Sequence, residues 1–151
     1  MKTADQWLDQ YGQSHQNPLN KKIHWVCIPL IVMSLLGLLM SIPLPFGPAW
    51  LDPAIVLIAL ALLYYATLSP RLALGMLVVS AGLYLGAASL AVLPLPLWAS
   101  SLVVFVLAWV AQFIGHQIEG KKPSFLEDIQ FLLIGPLWLL RFVYRRVGLS
   151  Y

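Results

Sequence analysis

The sequence predicts an all-α, polytopic membrane bundle. It has about four transmembrane helices, an N-terminal amphipathic helix and a C-terminal interfacial or re-entrant helix. Three observations predict this class. Of 151 residues, 60% are hydrophobic and 10% charged, against about 25% charged in soluble domains, and the mean hydropathy is +0.83. The apolar residues gather into runs close to the ~20 residues a helix needs to cross hydrocarbon. The nine Lys and Arg residues all lie between or outside those runs.

The chain divides in order, as one membrane-embedded domain over residues 1–151. Residues 4–15, within "TADQWLDQYGQSH", form an amphipathic helix. Thr3 and Gln6 fit a capping box, and Trp7, Leu8, Tyr11 and His15 follow helical spacing on one face. Trp and Tyr favour headgroup level, which lays this helix on the membrane surface. Asn17 reads as an N-cap, with Pro18 opening the next helix. That helix enters a first apolar run over 25–42, ended by Pro43, Pro45 and Gly47. Further runs cover 54–68, 72–93 and 97–114, and the second is short for a span. Gly75, Ser80, Gly82, Gly86 and Ala87 mark the third as a surface for close helix approach. After "EGKKP", Ser124 and Glu127 form another capping box, and Glu127 and Asp128 oppose the helix dipole. The last helix, 125–147, is interrupted at Gly135-Pro136, and its apolar stretch is too short to span.

Charge sets the orientation. In a four-span arrangement Lys2, Lys21, Lys22, Arg71, Lys121, Lys122, Arg141, Arg145 and Arg146 share one side. The positive-inside rule then puts both termini in the cytoplasm. The membrane would be the inner membrane of a bacterium or the endoplasmic reticulum of a eukaryote. No signal peptide precedes the first run, which serves as its own insertion signal. The single cysteine, Cys27, excludes an internal disulfide framework and a multi-cysteine metal site; it reads as a packing thiol. Trp, Tyr and basic residues alternate as a membrane belt, and nothing suggests nucleic acid. No internal repeat or mid-span charge suggests a transporter.

The same arrangement brings His15, His24 and His116, all the histidines of the chain, to the cytoplasmic face. In "WVAQFIGHQIEG", Trp109, Gln112, His116 and Glu119 share one helix face, and Gly115 admits a close neighbour. A His and a carboxylate one turn apart can bind a metal together, or simply meet interfacial water. If the spans pack as a bundle, His15, His24, His116 and Glu119 converge at one rim. Such a set suits Fe(II), Zn(II) or Cu(II) over Mg or Ca, and two histidines with one carboxylate would favour non-haem iron. Asn17 reads as a cap. Asn20 and Gln112 are candidates to orient the imidazoles. Lys21, Lys22, Lys121 and Lys122 are topology signals that also attract anionic lipid heads. From these residues alone the reading stays open between an oxygen-activating enzyme, a zinc-dependent lipid hydrolase and a non-enzymatic membrane lipid-binding protein.

The blocks "HQNPLNKKIHWVCIPLI" and "QFIGHQIEGKKPSFLEDIQFLLIGPLWLL" carry the patterns His-x-Asn-Pro-x-Asn-x-x-x-His and Gln-Phe-x-Gly-His followed by a Pro. In these the chain resembles a family of small integral membrane proteins that includes the fungal 2-hydroxy fatty acid dioxygenase of phytosphingosine degradation. The resemblance runs from Tyr11 to about Arg146 and rests between the blocks on apolar character and length. It implies iron-dependent α-oxidation, in which O2 and a 2-hydroxy fatty acid yield a fatty acid one carbon shorter. It also implies that His15, His24 and His116 are Fe(II) ligands; the residues alone leave Zn(II) as the alternative metal. The carboxylate and 2-hydroxyl would face the metal while the acyl chain stays among the spans.

Overall fold

Local chemistry decides where the helices start. In the computed structural model, which describes residues 2–45, 47–48, 50–123 and 129–151, six α-helices and one 3-10 turn are present among the described residues, and no strand. Helix α1 is Ala4–Gly12, with Thr3 and Gln6 closing the expected capping box. Helices α2 (Pro18–Met40), α3 (Pro53–Leu68) and α4 (Pro70–Ser89) share one device. A polar N-cap, Asn17, Asp52 or Ser69, accepts a first-turn N–H, and a proline follows it. The proline has no N–H to leave unpaired and a φ already suited to a helix. A 3-10 turn, Leu90–Val92, extends α4. Helix α5 is Leu97–Glu119, closed by Gly120 in the left-handed region (φ 72°), and α6 is Phe131–Arg146.

Three of these elements are long and apolar enough to cross a membrane: Pro18–Met40, Pro70–Val92 and Leu97–Glu119. Each holds 23 residues, about 34 Å of helix. Helix α3, with 16 residues, reaches about 24 Å against a hydrocarbon core of about 30 Å.

Helix α5 continues past the apolar run ending at residue 114 to Glu119, so Gly115, His116 and Glu119 all lie on regular helix, as expected. Two other boundaries differ from expectation. Helix α1 stops at Gly12, short of His15, because glycine is a poor helix former. Helix α6 passes through Gly135 and Pro136 without interruption. Residues 129–130 form a turn, and the capping pair Ser124 and Glu127, with Asp128, lies outside the described residues.

The longest shared interface joins α2 and α5, which run antiparallel. Gly37 of α2 lies against Ser101 of α5, and Gly115 of α5 against Asn20 of α2. At both glycines a Cβ would overlap the partner's side-chain oxygen, so backbone proximity depends on its absence. Helix α4 lies on α2 where Gly86 meets Met33, and its Gly75 meets Tyr144 and Leu140 of α6. Ser80 and Ala87 are buried, but Gly82 faces open space and takes no part in close packing. Leu36, Ala54 and Ala87 form a small core toward the far end of the bundle.

The larger core is at the opposite end. Here α1 and α6 pack together over the end where α2 and α4 begin and α3 and α5 finish. Trp7, Leu8 and Tyr11 are buried with Phe131, Ile134, Leu137 and Trp138. The apolar face of α1 is therefore covered by protein, a correction to its placement against lipid. Amphipathic spacing shows that a face is covered, and α6 supplies the cover. Arg141 of α6 pairs with Asp9 at 2.5 Å and Asp5 at 3.7 Å. Tyr65 Oη donates to the Leu133 carbonyl (2.8 Å), joining α6 to α3.

The glycine contacts give a first prediction. Gly37→Val and Gly115→Ala should each lower stability by about 1–3 kcal/mol through overpacking, read as a lower melting temperature in detergent. An unchanged melting temperature for both would contradict the close α2–α5 crossing.

Candidate metal centre

The three histidines reach one point from three different elements. His15 stands in the turn after α1, His24 lies in the second turn of α2, and His116 is in the last turn of α5. His15 and His24 are fully buried and His116 is 6% exposed. One ring nitrogen from each lies within 4.8 Å of the others. His24 Nε2 is 3.2 Å from His116 Nε2, and the His15 and His24 rings meet edge to face at 4.2 Å.

Backbone carbonyls decide the tautomers. His15 Nδ1 lies 2.7 Å from the Tyr11 carbonyl, and His24 Nδ1 lies 2.9 Å from the Asn20 carbonyl. A carbonyl only accepts, so each Nδ1 carries the proton and each Nε2 keeps its lone pair. His15 Nε2 is buried without a hydrogen-bond partner, an arrangement that costs free energy unless something occupies the lone pair. Two nitrogens at about 2.1 Å from one ion stand about 3.0–3.4 Å apart for right-angled to tetrahedral geometry, which spans the 3.2 Å pair. Three buried imidazoles with two lone pairs fixed this way can hold a transition-metal ion.

Surrounding residues hold the ligands in place. Tyr11 stacks on His15 (4.2 Å, 17°), and Trp138 flanks that ring at 5.3 Å. Glu119 lies beside the group, with both carboxylate oxygens bonded to residues 16–20. Its Oε1 accepts the Gln16 N–H (2.7 Å), while Oε2 accepts the Asn17 N–H (2.8 Å) and Asn20 Nδ2 (3.0 Å). Lys121 Nζ donates to the Gln13 carbonyl at 2.7 Å. The end of α5 thus grips the turn that carries His15. Asn17 caps α2 as expected, and Asn20 steadies His24 through its backbone carbonyl while its side chain bonds Glu119. Gln112 and His116 are not joined: Gln112 Oε1 and His116 Nδ1 both lack partners. Lys22, Lys121 and Lys122 are exposed and Lys21 half-buried at this end of the bundle.

A pocket with about 50 Å³ of free space opens beside the cluster, between α2, α5 and α6. His24, His116 and Gln112 line its inner part with Tyr11. Trp109, Phe113 and Leu132 line it further out, where Phe113 and Leu132 are exposed. Tyr11 and Trp138 escaped sequence reasoning as site residues. Tyr11 carried a signal, sitting four residues before His15, whereas Trp138 carried none.

Burial pushes the His15 imidazole down to about 4 from its ordinary 6.5, partly opposed by its bond to the Tyr11 carbonyl. A depressed folded-state pKa means that the unfolded chain takes the proton first as pH falls. The stability contribution is therefore complete above about pH 6.5 and lost toward pH 4. Metal-free protein should show this loss, up to a few kcal/mol, in melting temperatures across that window. His15→Gln should make it shallower, and an equal slope in both proteins would contradict the buried neutral imidazole.

Comparison with known proteins bears on the whole arrangement. No curated protein and no solved structure matches the chain. A family model described as Mpo1-like, 2-hydroxy-palmitic acid dioxygenase Mpo1-like, matches residues 1–147. That range contains all six helices and every residue of the histidine cluster, in agreement with the resemblance carried by the two histidine blocks. The chain belongs to the Mpo1-like family of 2-hydroxy-palmitic acid dioxygenases.

Proposed function

We propose that the protein is an Fe(II)-dependent dioxygenase of the membrane that converts a 2-hydroxy fatty acid into the acid one carbon shorter. The observation that carries this reading is the three-histidine cluster, two of whose members, His24 and His116, line a largely apolar pocket. His15, His24 and His116 would hold the ion. Ferrous iron bound there would supply O2 activation and a seat for the substrate's carboxylate and 2-hydroxyl. The chain's own residues do the rest. The Tyr11 and Asn20 carbonyls keep two imidazoles in the ligating tautomer. Tyr11 and Trp138 cover the His15 ring and exclude water from it. Glu119 serves as a brace for the His15 turn and the start of α2 rather than as a ligand.

The membrane arrangement follows from the same elements. All four central helices cross in this reading, α3 with help from its flanks, as one domain. The basic residues and both termini face the cytoplasm, where Lys21, Lys22, Lys121 and Lys122 attract the acidic head. The head enters past Phe113 and Leu132 while the acyl chain stays in hydrocarbon. Each methylene left in lipid avoids about 0.8 kcal/mol of transfer cost, so an enzyme that draws in only the head avoids most of that cost.

Metal analysis and oxygen uptake test this function. Wild type purified in mild detergent should contain near-stoichiometric iron and consume O2 with 2-hydroxypalmitate. His116→Ala should lose the iron and lower uptake about a hundredfold or more. Zinc in place of iron, with lipid cleavage under anaerobic conditions, would support the hydrolase instead. Glu119→Gln separates brace from ligand. It should retain iron while destabilising the fold by about 1–2 kcal/mol, whereas loss of iron in a folded variant would make Glu119 a ligand.

A further inference from the structure

Gln112 is the polar group in the pocket for which the architecture gives no structural task. It is 8% exposed, and its Oε1 is buried without a hydrogen-bond partner. It lines the pocket with His24 and His116, and lies four residues before His116 on the same face of α5. Trp109 continues that face three residues further and lines the pocket too. Along this face the chemistry therefore changes from imidazole to amide to indole within about 10 Å. A ligand whose polar head lies at the histidines and whose tail runs outward must pass the amide directly after its head group.

We infer that Gln112 recognises the 2-hydroxyl of the substrate by accepting its proton at Oε1, and so selects 2-hydroxy acids over simple fatty acids. This rests on the function proposed above. A hydroxyl whose oxygen faces the histidine cluster still has its O–H to donate, and the unpaired acceptor belongs to a side chain that lines the same pocket as His24 and His116. A simple fatty acid has no such proton. Binding one would leave Oε1 sealed in an apolar pocket without water or partner. Sites built to pair a substrate hydroxyl reject analogues lacking it for this reason. Selection would then operate in binding, before any chemistry.

The test is equilibrium binding to metal-loaded protein in detergent without oxygen, so that nothing turns over. The probes are 2-hydroxypalmitate, palmitate and 2-fluoropalmitate, the last replacing the hydroxyl by a group of similar size without a proton. Wild type should prefer the hydroxy acid over the fluoro acid by about tenfold or more. Gln112→Met, similar in size and without a strong acceptor, should lose at least about tenfold for the hydroxy acid and less than about twofold for palmitate. Its metal content should match wild type. A preference equal to wild type in Gln112→Met overturns the inference. If that variant does not fold, the wild-type comparison decides: equal affinity for the hydroxy and fluoro acids overturns it as well. Failure of the underlying function is visible separately, as wild type that binds the hydroxy acid selectively yet consumes no O2.

Discussion

The close crossing of α2 and α5 is the constraint on which the centre depends. His24 and His116 can meet at 3.2 Å only if their helices approach almost backbone to backbone, and Gly37 and Gly115 make that approach possible. In a bilayer the hydrophobic effect does not press helices together, so small residues and interhelical hydrogen bonds must hold them. The Asn20–Glu119 bond is one of these. Once α2 and α5 are in register, Glu119 and Lys121 grip residues 13–17. That grip sets His15 against the other two imidazoles.

The cluster is costly to keep. Three buried imidazoles, two of them with lone pairs turned inward, put polar groups in an apolar interior, where the unpartnered His15 Nε2 opposes folding. The surroundings offset this with the Tyr11 stack, the two carbonyl bonds and the α1–α6 core. Such a division, with an incompletely paired polar centre inside a well-satisfied shell, is expected where a protein holds a ligand. It agrees with the family to which the chain belongs.

Much of this was legible in the sequence, and the reasons differ by element. Helix starts were readable because Thr3 and Asn17 are cap residues whose chemistry is local. Asp52-Pro53 and Ser69-Pro70 repeat the Asn17-Pro18 device and could have been read the same way. The histidines were readable as a group through charge, since the basic residues place the loops on one side. The role of Glu119 was not, because two of its three partners are the backbone N–H groups of Gln16 and Asn17, about a hundred residues away in the chain. Backbone donors leave no mark in side-chain patterns. The cover over α1 was hidden for a related reason: a stripe of Trp7, Leu8 and Tyr11 looks the same whether it meets lipid or α6. Trp138, one aromatic among many in an apolar helix, had nothing to set it apart.

The packing of α1 against α6 also orders events during synthesis. Helix α1 leaves the ribosome first, yet Phe131, Ile134, Leu137 and Trp138, which cover its apolar face, are translated after all four central helices. Until then the stripe of α1 lacks its cover, and His15, which Glu119 can brace once α5 is made, still lacks Trp138. The first histidine of the chain is thus the last to be enclosed. Any ion that the three imidazoles take up would then be enclosed late, with the arrival of the final helix, and a chain stalled before α6 would leave the cluster open on its Trp138 side.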